Sequence, residues 1–308
     1  MTVDEVYTQW LEYKKLRVKE STISIYRERY KKHIAPIFGN DDIENLGKKR
    51  VKPAIDKYIR EMSRHGARDN LVLIKNIMKF ADEELELRVP SYGWRYDYPT
   101  ASKDGQRKLD RYTADEIKKL SAFLKDTPSP RNLAMLIAIG TGLRIGEICG
   151  LRWEDVNFTD KTISVNRTIE RIMTEDGHTR LLIGSPKSKS SIRTVPIPQG
   201  IVQMCKNFSK VARRDYYVAT GTARPTEPRT FRNYYKETVS RCLGKDYVLK
   251  FHALRHTFAS IMIENKVDVK TVSILLGHSD VGVTLNVYTH PTEETKNKAV
   301  RMGLKGII

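Results

Sequence analysis

Four segments place polar side chains where packing alone would choose apolar ones: TGLRIGEICGLRWEDV (141–156), SPKSKSSIRTVPIP (185–198), HALRHTFAS (252–260) and LGHSDVGVTLNVYTH (276–290). In the first, Arg144 lies between Leu143 and Ile145 at a glycine-rich start of a short helix. It reads both as an ion-pair partner of Glu147, three residues on, and as a guanidinium that faces an anion. The second is a basic turn between two strands. A solvated hairpin tip is the commoner fate of such a run, and one lysine reaching a site is the sharper reading. In the third, His252, Arg255 and His256 open a helix, and positions 252, 255, 256 and 259 share a face. His252 and His256, with His278, could also be metal ligands. Against that, a guanidinium on the same face repels a dication, and the glutamate of a zinc-protease helix is absent. The anion reading is therefore preferred, and His256 reads as a core or supporting histidine. In the fourth, Leu276-Gly277 stops a helix, His278 follows, and Tyr288 comes ten residues later. Alone, with Leu285 three residues before it, Tyr288 would be an ordinary core-edge tyrosine.

These segments need elements to hold them. Residues 1–90 read as a small bundle of three or four helices. Ile23, Tyr26, Tyr30 and Ile34 form one stripe, with Ser21 or Thr22 as its N-cap and Pro36 and Gly39 as its stop. Further helices are expected near Val51–Met62 and Asn70–Leu85. Residues 91–110, punctuated by proline and glycine and ending in basic residues, read as a linker. The aromatics Tyr92, Trp94, Tyr96 and Tyr98 are expected to pack on the end of the bundle rather than to stack on bases. A second domain over 111–291 starts with Thr113-x-x-Glu116, a capping box. A buried helix is expected over Asn132–Ile139. A three-stranded antiparallel sheet is expected from Thr162–Arg171, Thr179–Ile183 and Ile192–Ile197. Helices resume around Arg229–Arg241, His252–Glu264, Asp268–Leu276 and Val281–Tyr288. The fold class is thus mainly α with a small antiparallel β-sheet (α+β).

Bulk properties narrow the function classes. The chain has 308 residues, 55 Lys and Arg against 37 Asp and Glu, and a net charge of +18. Residues 1–110 carry +5 of this and residues 111–308 carry +13. Such an excess attracts polyanions, nucleic acid first among them. A basic amphipathic helix suited to a membrane surface does not stand out, and no apolar run approaches a membrane span. Three scattered cysteines exclude a disulfide framework and a paired-cysteine metal knuckle and suit a reducing cytoplasm. No phosphate-binding loop or dinucleotide turn is present, so no cofactor is expected.

Two arginines, a lysine, two histidines and a tyrosine in this order resemble the tyrosine recombinases, the phage-integrase family to which λ integrase, Cre and the Xer proteins belong. The resemblance covers about residues 109–290, and the N-terminal bundle is similar to the family's core-binding domain. It implies that Arg144, Lys187, His252, Arg255, His278 and Tyr288 are catalytic, with Glu147 supporting Arg144. Lys187 is the soft assignment, because Lys189 lies on the same turn. The chemistry agrees. Two guanidiniums neutralise a phosphodiester and stabilise its transition state. With a reference pKa near 10, only about one tyrosine in a thousand is ionised at pH 7, so Tyr288 needs cationic neighbours or a base. A leaving 5′-oxygen needs a proton, for which Lys187 is the natural donor. The family implies a 3′-phosphotyrosyl intermediate, which conserves bond energy and needs no ATP or Mg²⁺. Integration, excision and inversion all remain open.

The resemblance further implies double-stranded DNA recombination sites as partners, a homo-tetramer on two sites, and accessory DNA-bending proteins. It also implies a bacterial or phage-encoded cytoplasmic protein, nucleoid-associated when bound. The helical N-terminal domain and basic second half suggest a clamp around the duplex. Lys31, Lys32, Lys75, Lys79, Lys103, Arg107, Lys108, Lys189 and Arg232 are candidate DNA contacts. The bundle starts within the first few residues, so an arm-binding domain is expected to be lacking or truncated. Residues 292–308 are expected to dock on a neighbouring protomer, with folding back in cis or a frayed terminus as the alternatives. Alternatives are a type IB topoisomerase, a catalytically silent DNA-binding protein, and a hydrolase using His252, His256 and His278.

Overall fold

The computed structural model describes residues 1–99, 110–186 and 189–288, with backbone alone at 189, 283 and 286–288. The chain divides into two compact units, Met1–Gln106 with Arg171–Leu182, and Arg107–Glu170 with Ile183–Ile308.

The first unit is helical. Helix α1 (Val3–Lys15) opens on a capping box between Thr2 and Glu5. Helix α2 (Glu20–Arg29) starts one residue before the expected cap. Its N-cap is Lys19, which makes no side-chain cap bond, and Glu20 places a carboxylate at the positive helix end. Ser21 and Thr22 are therefore interior residues, correcting the expected cap. Pro36 does not stop this helix either. Over Tyr30–Ile34 the chain widens to a π turn, in which the Ala35 N–H donates to the Tyr30 carbonyl, and α3 (Ala35–Phe38) follows with proline in its first turn. A wider turn gives the ring the room that a regular α-helix denies it. The Tyr58 hydroxyl donates to the His33 carbonyl within that turn. Helices α4 (Lys48–Glu61) and α5 (Arg64–Glu83) complete the bundle, each longer at its start than the apolar stripe indicated. Trp10, Ile34, Phe38, Ile74, Ile77 and Met78 are among its core. Tyr92, Trp94, Tyr96 and Tyr98 pack against that core, and the Tyr92 hydroxyl donates to Asp82 at 2.9 Å.

The second unit begins with α6 (Ala114–Asp126), whose expected capping box is present: the Thr113 and Glu116 N–H groups donate to each other's side chains at 2.7 and 3.2 Å. Helix α7 (Pro130–Thr141) is buried on nearly every side and packs against α6, on α8 (Ile145–Gly150), and on two later helices, α9 (Gln199–Ser209) and α11 (His252–Glu264). The strands are β1 (Val156–Asn157), β2 (Thr162–Val165), β3 (Thr168–Met173), β4 (Thr179–Gly184) and β5 (Arg193–Pro196). They form two sheets, not one. β1, β2 and β5 pair antiparallel in that order, with Ile163 opposite Val195 and Val165 opposite Arg193, while β3 and β4 form a separate hairpin, most of which (Arg171–Leu182) belongs to the first unit.

The expected long strand over 162–171 breaks at Asn166 and Arg167. Both turn to the buried Asp155, and Arg167 also reaches Glu154 at 2.9 Å, so local ion pairs outweigh strand continuity. Helices α10 (Pro228–Leu243), α12 (Val269–Leu276, capped by Asp268) and α13 (Val281–Tyr288) follow the expected pattern. Helix α9 was not anticipated.

Between α7 and α8 the chain reverses at Gly142, which has φ +65°. A Cβ there would come within 2.7 Å of the Phe258 ring and 3.0 Å of Leu276. Gly142→Ala is expected to lower unfolding free energy by about 2 kcal/mol, from left-handed backbone strain plus the contact. Urea denaturation of the two proteins checks this, and equal midpoints would contradict it.

Candidate active site

The site is assembled from two chain reversals and one helix start in the second unit. The first, at Gly142, delivers Arg144 to the N-cap of α8. The Arg144 N–H donates to Glu147 Oε2 at 2.9 Å, so the helix start is capped from within. The Arg144 guanidinium donates to Glu147 Oε1 at 2.9 Å and to the Gly277 carbonyl at 3.4 Å, and 37% of the side chain stays open to solvent. Both sequence readings of Arg144 therefore coexist: it is paired, and it keeps a face toward an incoming group.

The second reversal follows α12. Gly277 takes φ +68° and ends the helix, placing His278 beyond it. His278 Nδ1 bonds the Thr284 hydroxyl at 2.8 Å. Thr284 is fully buried on α13, four residues before Tyr288, so this bond fastens the tyrosine helix to the end of α12. Tyr288 is the last residue of α13; its side chain lies outside the described atoms.

The helix start is that of α11, where His252 and Arg255 share a face. Arg255 is almost wholly buried. Its guanidinium donates to the Gly142 carbonyl at 3.0 Å and the Leu276 carbonyl at 2.7 Å, joining the ends of α7 and α12. The His252 ring lies at 4.6 Å from that of His256, edge to face. Among the described residues, no group of three or more His, Cys, Asp or Glu side chains is placed to hold a metal ion.

Charge is the dominant feature. Burial would raise the Glu147 pKa, but hydrogen bonds and charge from Arg193, and then from Arg144, hold it below the ordinary carboxylate value. Crowding by surrounding chain lowers the pKa of His252 to about 4, aided by His256, Arg255, Arg144 and His278. Burial, then Arg255, Arg144 and Arg193, lower that of His278 to about 4. Both imidazoles are thus neutral at pH 7, able to accept a proton as well as donate one.

Arg144, Glu147, His252, Arg255 and His278 therefore meet around the C-terminal end of α12. Lys187, Lys103, Arg107, Lys108 and the tail 292–308 lie outside the described residues, as does the Lys189 side chain. Of the remaining candidate DNA contacts, Lys31 and Lys32 are exposed on the π turn, and Lys79 and Arg232 are exposed on α5 and α10. Lys75 instead packs over the Trp94 ring and donates to the Trp94 carbonyl.

Two residues escaped the sequence reading. Arg193 is 5% exposed and bonds both Glu147 oxygens. Its signal was alternation, since it shares an inward register with Val195 and Ile197. Thr284, the other, carries no comparable signal.

The reversals bring a cationic cluster to the end of α12, to which the helix ending in Tyr288 is tied. Residues 110–295 match the phage integrase family, and residues 2–60 match the phage integrase N-terminal SAM-like domain. A tyrosine recombinase XerC-like protein of Caldanaerobacter subterraneus is 30% identical over 97% of this chain and 82% of its own length. The ICEBs1 integrase of Bacillus subtilis is 24% identical over 84% of this chain and 71% of its own. In fold, the chain is similar to the Tn1549 transposon integrase in complex with transposon right-end DNA, with a TM-score of 0.78 at 22% identity over 98% of this chain and 100% of that one. A λ integrase dimer bound to a core site gives 0.64 at 18% identity over 94% and 96%. The chain belongs to the phage integrase family and is a tyrosine-type site-specific DNA recombinase.

The depressed histidine pKa values set a pH dependence. Unfolded histidine titrates near 6.5, so between about pH 6.5 and 4 the unfolded state binds more protons than the folded one. The stability contributed by neutral His252 and His278 is complete above pH 6.5 and is lost as pH falls toward 4. NMR titration of the imidazole signals is expected to show both still neutral at about pH 5.5. Midpoints near 6.5 would contradict the electrostatic account.

Proposed function

We propose that the second unit cuts and rejoins duplex DNA through a covalent 3′-phosphotyrosyl intermediate formed on Tyr288. The observation that carries this reading is the His278–Thr284 bond, which ties the helix ending in Tyr288 to the point where Arg144 and Arg255 converge. In the forward step the Tyr288 oxygen attacks phosphorus, the bond to the 5′-oxygen breaks, and that oxygen leaves as a hydroxyl. Attack by a second 5′-hydroxyl reverses the step with a new partner strand, so no external energy source is consumed.

Each group has a defined task. Arg144, with its open face, contacts a non-bridging oxygen. Arg255 supplies charge from beneath, where low exposure makes it felt over a longer distance, and holds the carbonyls that shape the cradle. His252, kept neutral chiefly by burial, accepts the Tyr288 proton, and the neighbouring arginines favour phenolate. His278, its Nδ1 occupied by Thr284, offers Nε2 to the phosphate. Lys187 protonates the leaving 5′-oxygen, with Lys189 as the alternative on the same turn. Lys31, Lys32, Lys79 and Arg232 contact phosphates along the duplex, which positions the protein without reading sequence.

Strand exchange joins two duplexes, each cut on both strands, so four protomers act together. The λ integrase tetramer bound to a Holliday junction, similar in fold at a TM-score of 0.63, supports this. The tail 292–308 is proposed to link neighbouring protomers.

Tyr288→Phe tests the reading. On a nicked duplex carrying a site that the wild-type protein selects from random DNA, the variant is expected to bind DNA within about twofold of wild type yet form no covalent adduct, because only the nucleophilic oxygen is lost. Wild-type adduct formation is expected to persist in EDTA. An adduct with the variant would move the role elsewhere, Tyr247 first, and strict dependence on a divalent ion would favour the histidine hydrolase.

A further inference from the structure

We infer that Arg193 is a positioning residue that sets the charge of the site: it balances the buried Glu147 carboxylate, so that the positive charge of Arg144 is left for a DNA phosphate. The inference rests on the recombinase reading of Arg144 given above.

The geometry divides Glu147 unequally between its two arginines. Arg193 grips both carboxylate oxygens, at 3.1 and 3.0 Å, in the two-pronged arrangement that suits a guanidinium. The Arg144 guanidinium reaches one oxygen only. The side chains of Arg193 and Glu147 are 5% and 3% exposed, that of Arg144 37%. The buried pair is thus internally neutral, and the third charge sits above it at the surface. Without Arg193, the carboxylate would be matched by Arg144 alone. An approaching phosphate would then meet a neutral pair instead of a cation, and the field of a pair falls off much faster than that of a single charge.

The remaining donors of Arg193 fix its place. Nε–H donates to the Leu275 carbonyl at 2.7 Å, and another N–H donates to Ser191 O at 3.0 Å. Strand β5 is thereby joined to the last turn of α12, immediately before Gly277 and His278. Gly277 also makes room for it, since a Cβ there would approach Arg193 Cδ and its guanidinium to 3.0 Å. Because Arg193 is enclosed, it acts through Glu147 and Arg144 and not by touching DNA.

The test measures covalent adduct formation and DNA affinity on the same nicked duplex of the selected site. Arg193→Gln keeps a hydrogen bond to Glu147 but removes the charge. It is expected to slow adduct formation at saturating DNA by about tenfold or more, with DNA affinity within about twofold of wild type. Adding Glu147→Gln to that variant removes the unbalanced carboxylate and is expected to recover about threefold or more of the rate. Arg193→Lys, which keeps the charge and loses the fork, is expected to stay within about threefold of wild type.

Arg193→Gln reacting at the wild-type rate, or a double variant no faster than Arg193→Gln, would overturn the inference. A merely structural arginine would give the double variant no advantage. Should Arg193→Gln not fold, Arg193→Lys decides alone: a tenfold loss despite retained charge overturns the inference. Absence of adduct in the wild type would overturn the recombinase reading and the inference with it, whereas a reactive wild type with equally reactive variants overturns the inference alone.

Discussion

The buried carboxylate of Glu147 is the constraint on which the site depends. A lone carboxylate at that depth would be protonated or would destabilise the fold, since breaking a buried pair costs about 3–5 kcal/mol. Here it accepts from the Arg144 backbone N–H, the Arg144 guanidinium and two nitrogens of Arg193. One group therefore caps α8, orients the exposed arginine and draws β5 toward α12. Ionic contacts with strict geometry do what apolar packing cannot, which is to fix the direction of a charge.

The second ordering principle is the use of helix ends. Helices α7 and α12 each finish in a left-handed glycine, and the carbonyls of Gly142, Leu276 and Gly277 point into the site. Helix carbonyl ends carry partial negative charge and lack intrahelical partners. Arg255 and Arg144 satisfy them, so cations that would otherwise repel each other are held close. Burial, aided by the same cations, depresses the pKa of His252 and His278 to about 4 and keeps the imidazoles neutral. The same hydrogen bonds thus tie the helix ends together and orient the arginines.

Much of this was legible in the sequence because the relevant signals are local. The capping box at Thr113 and Glu116, the helices that begin at His252 and end at Tyr288, and the glycine stop at Gly277 depend on residues within a turn of one another. The Arg144–Glu147 pair was legible for the same reason. Long-range pairing was not. Segment 162–171 is rich in β-branched residues on both sides of Asn166 and Arg167, and the approach of Asp155 and Glu154 to Arg167 shows why it breaks there into two sheets. Pro36 reads as a stop, but a π turn accommodates it. Arg193 lies 46 residues from Glu147 along the chain, and no local rule joins them. Its inward strand register was the only trace, inside a run whose other basic residues suggested a solvated turn.

The central claim is that these charges serve a tyrosine nucleophile at the end of α13. The most direct measurement is mass spectrometry of the proteolysed adduct formed on a nicked duplex of a site that the protein selects from random DNA. The account predicts a nucleotide linked through its 3′-phosphate to Tyr288, in the peptide that also carries His278 and Thr284. A nucleotide attached to any other residue, or through a 5′-phosphate, would contradict it.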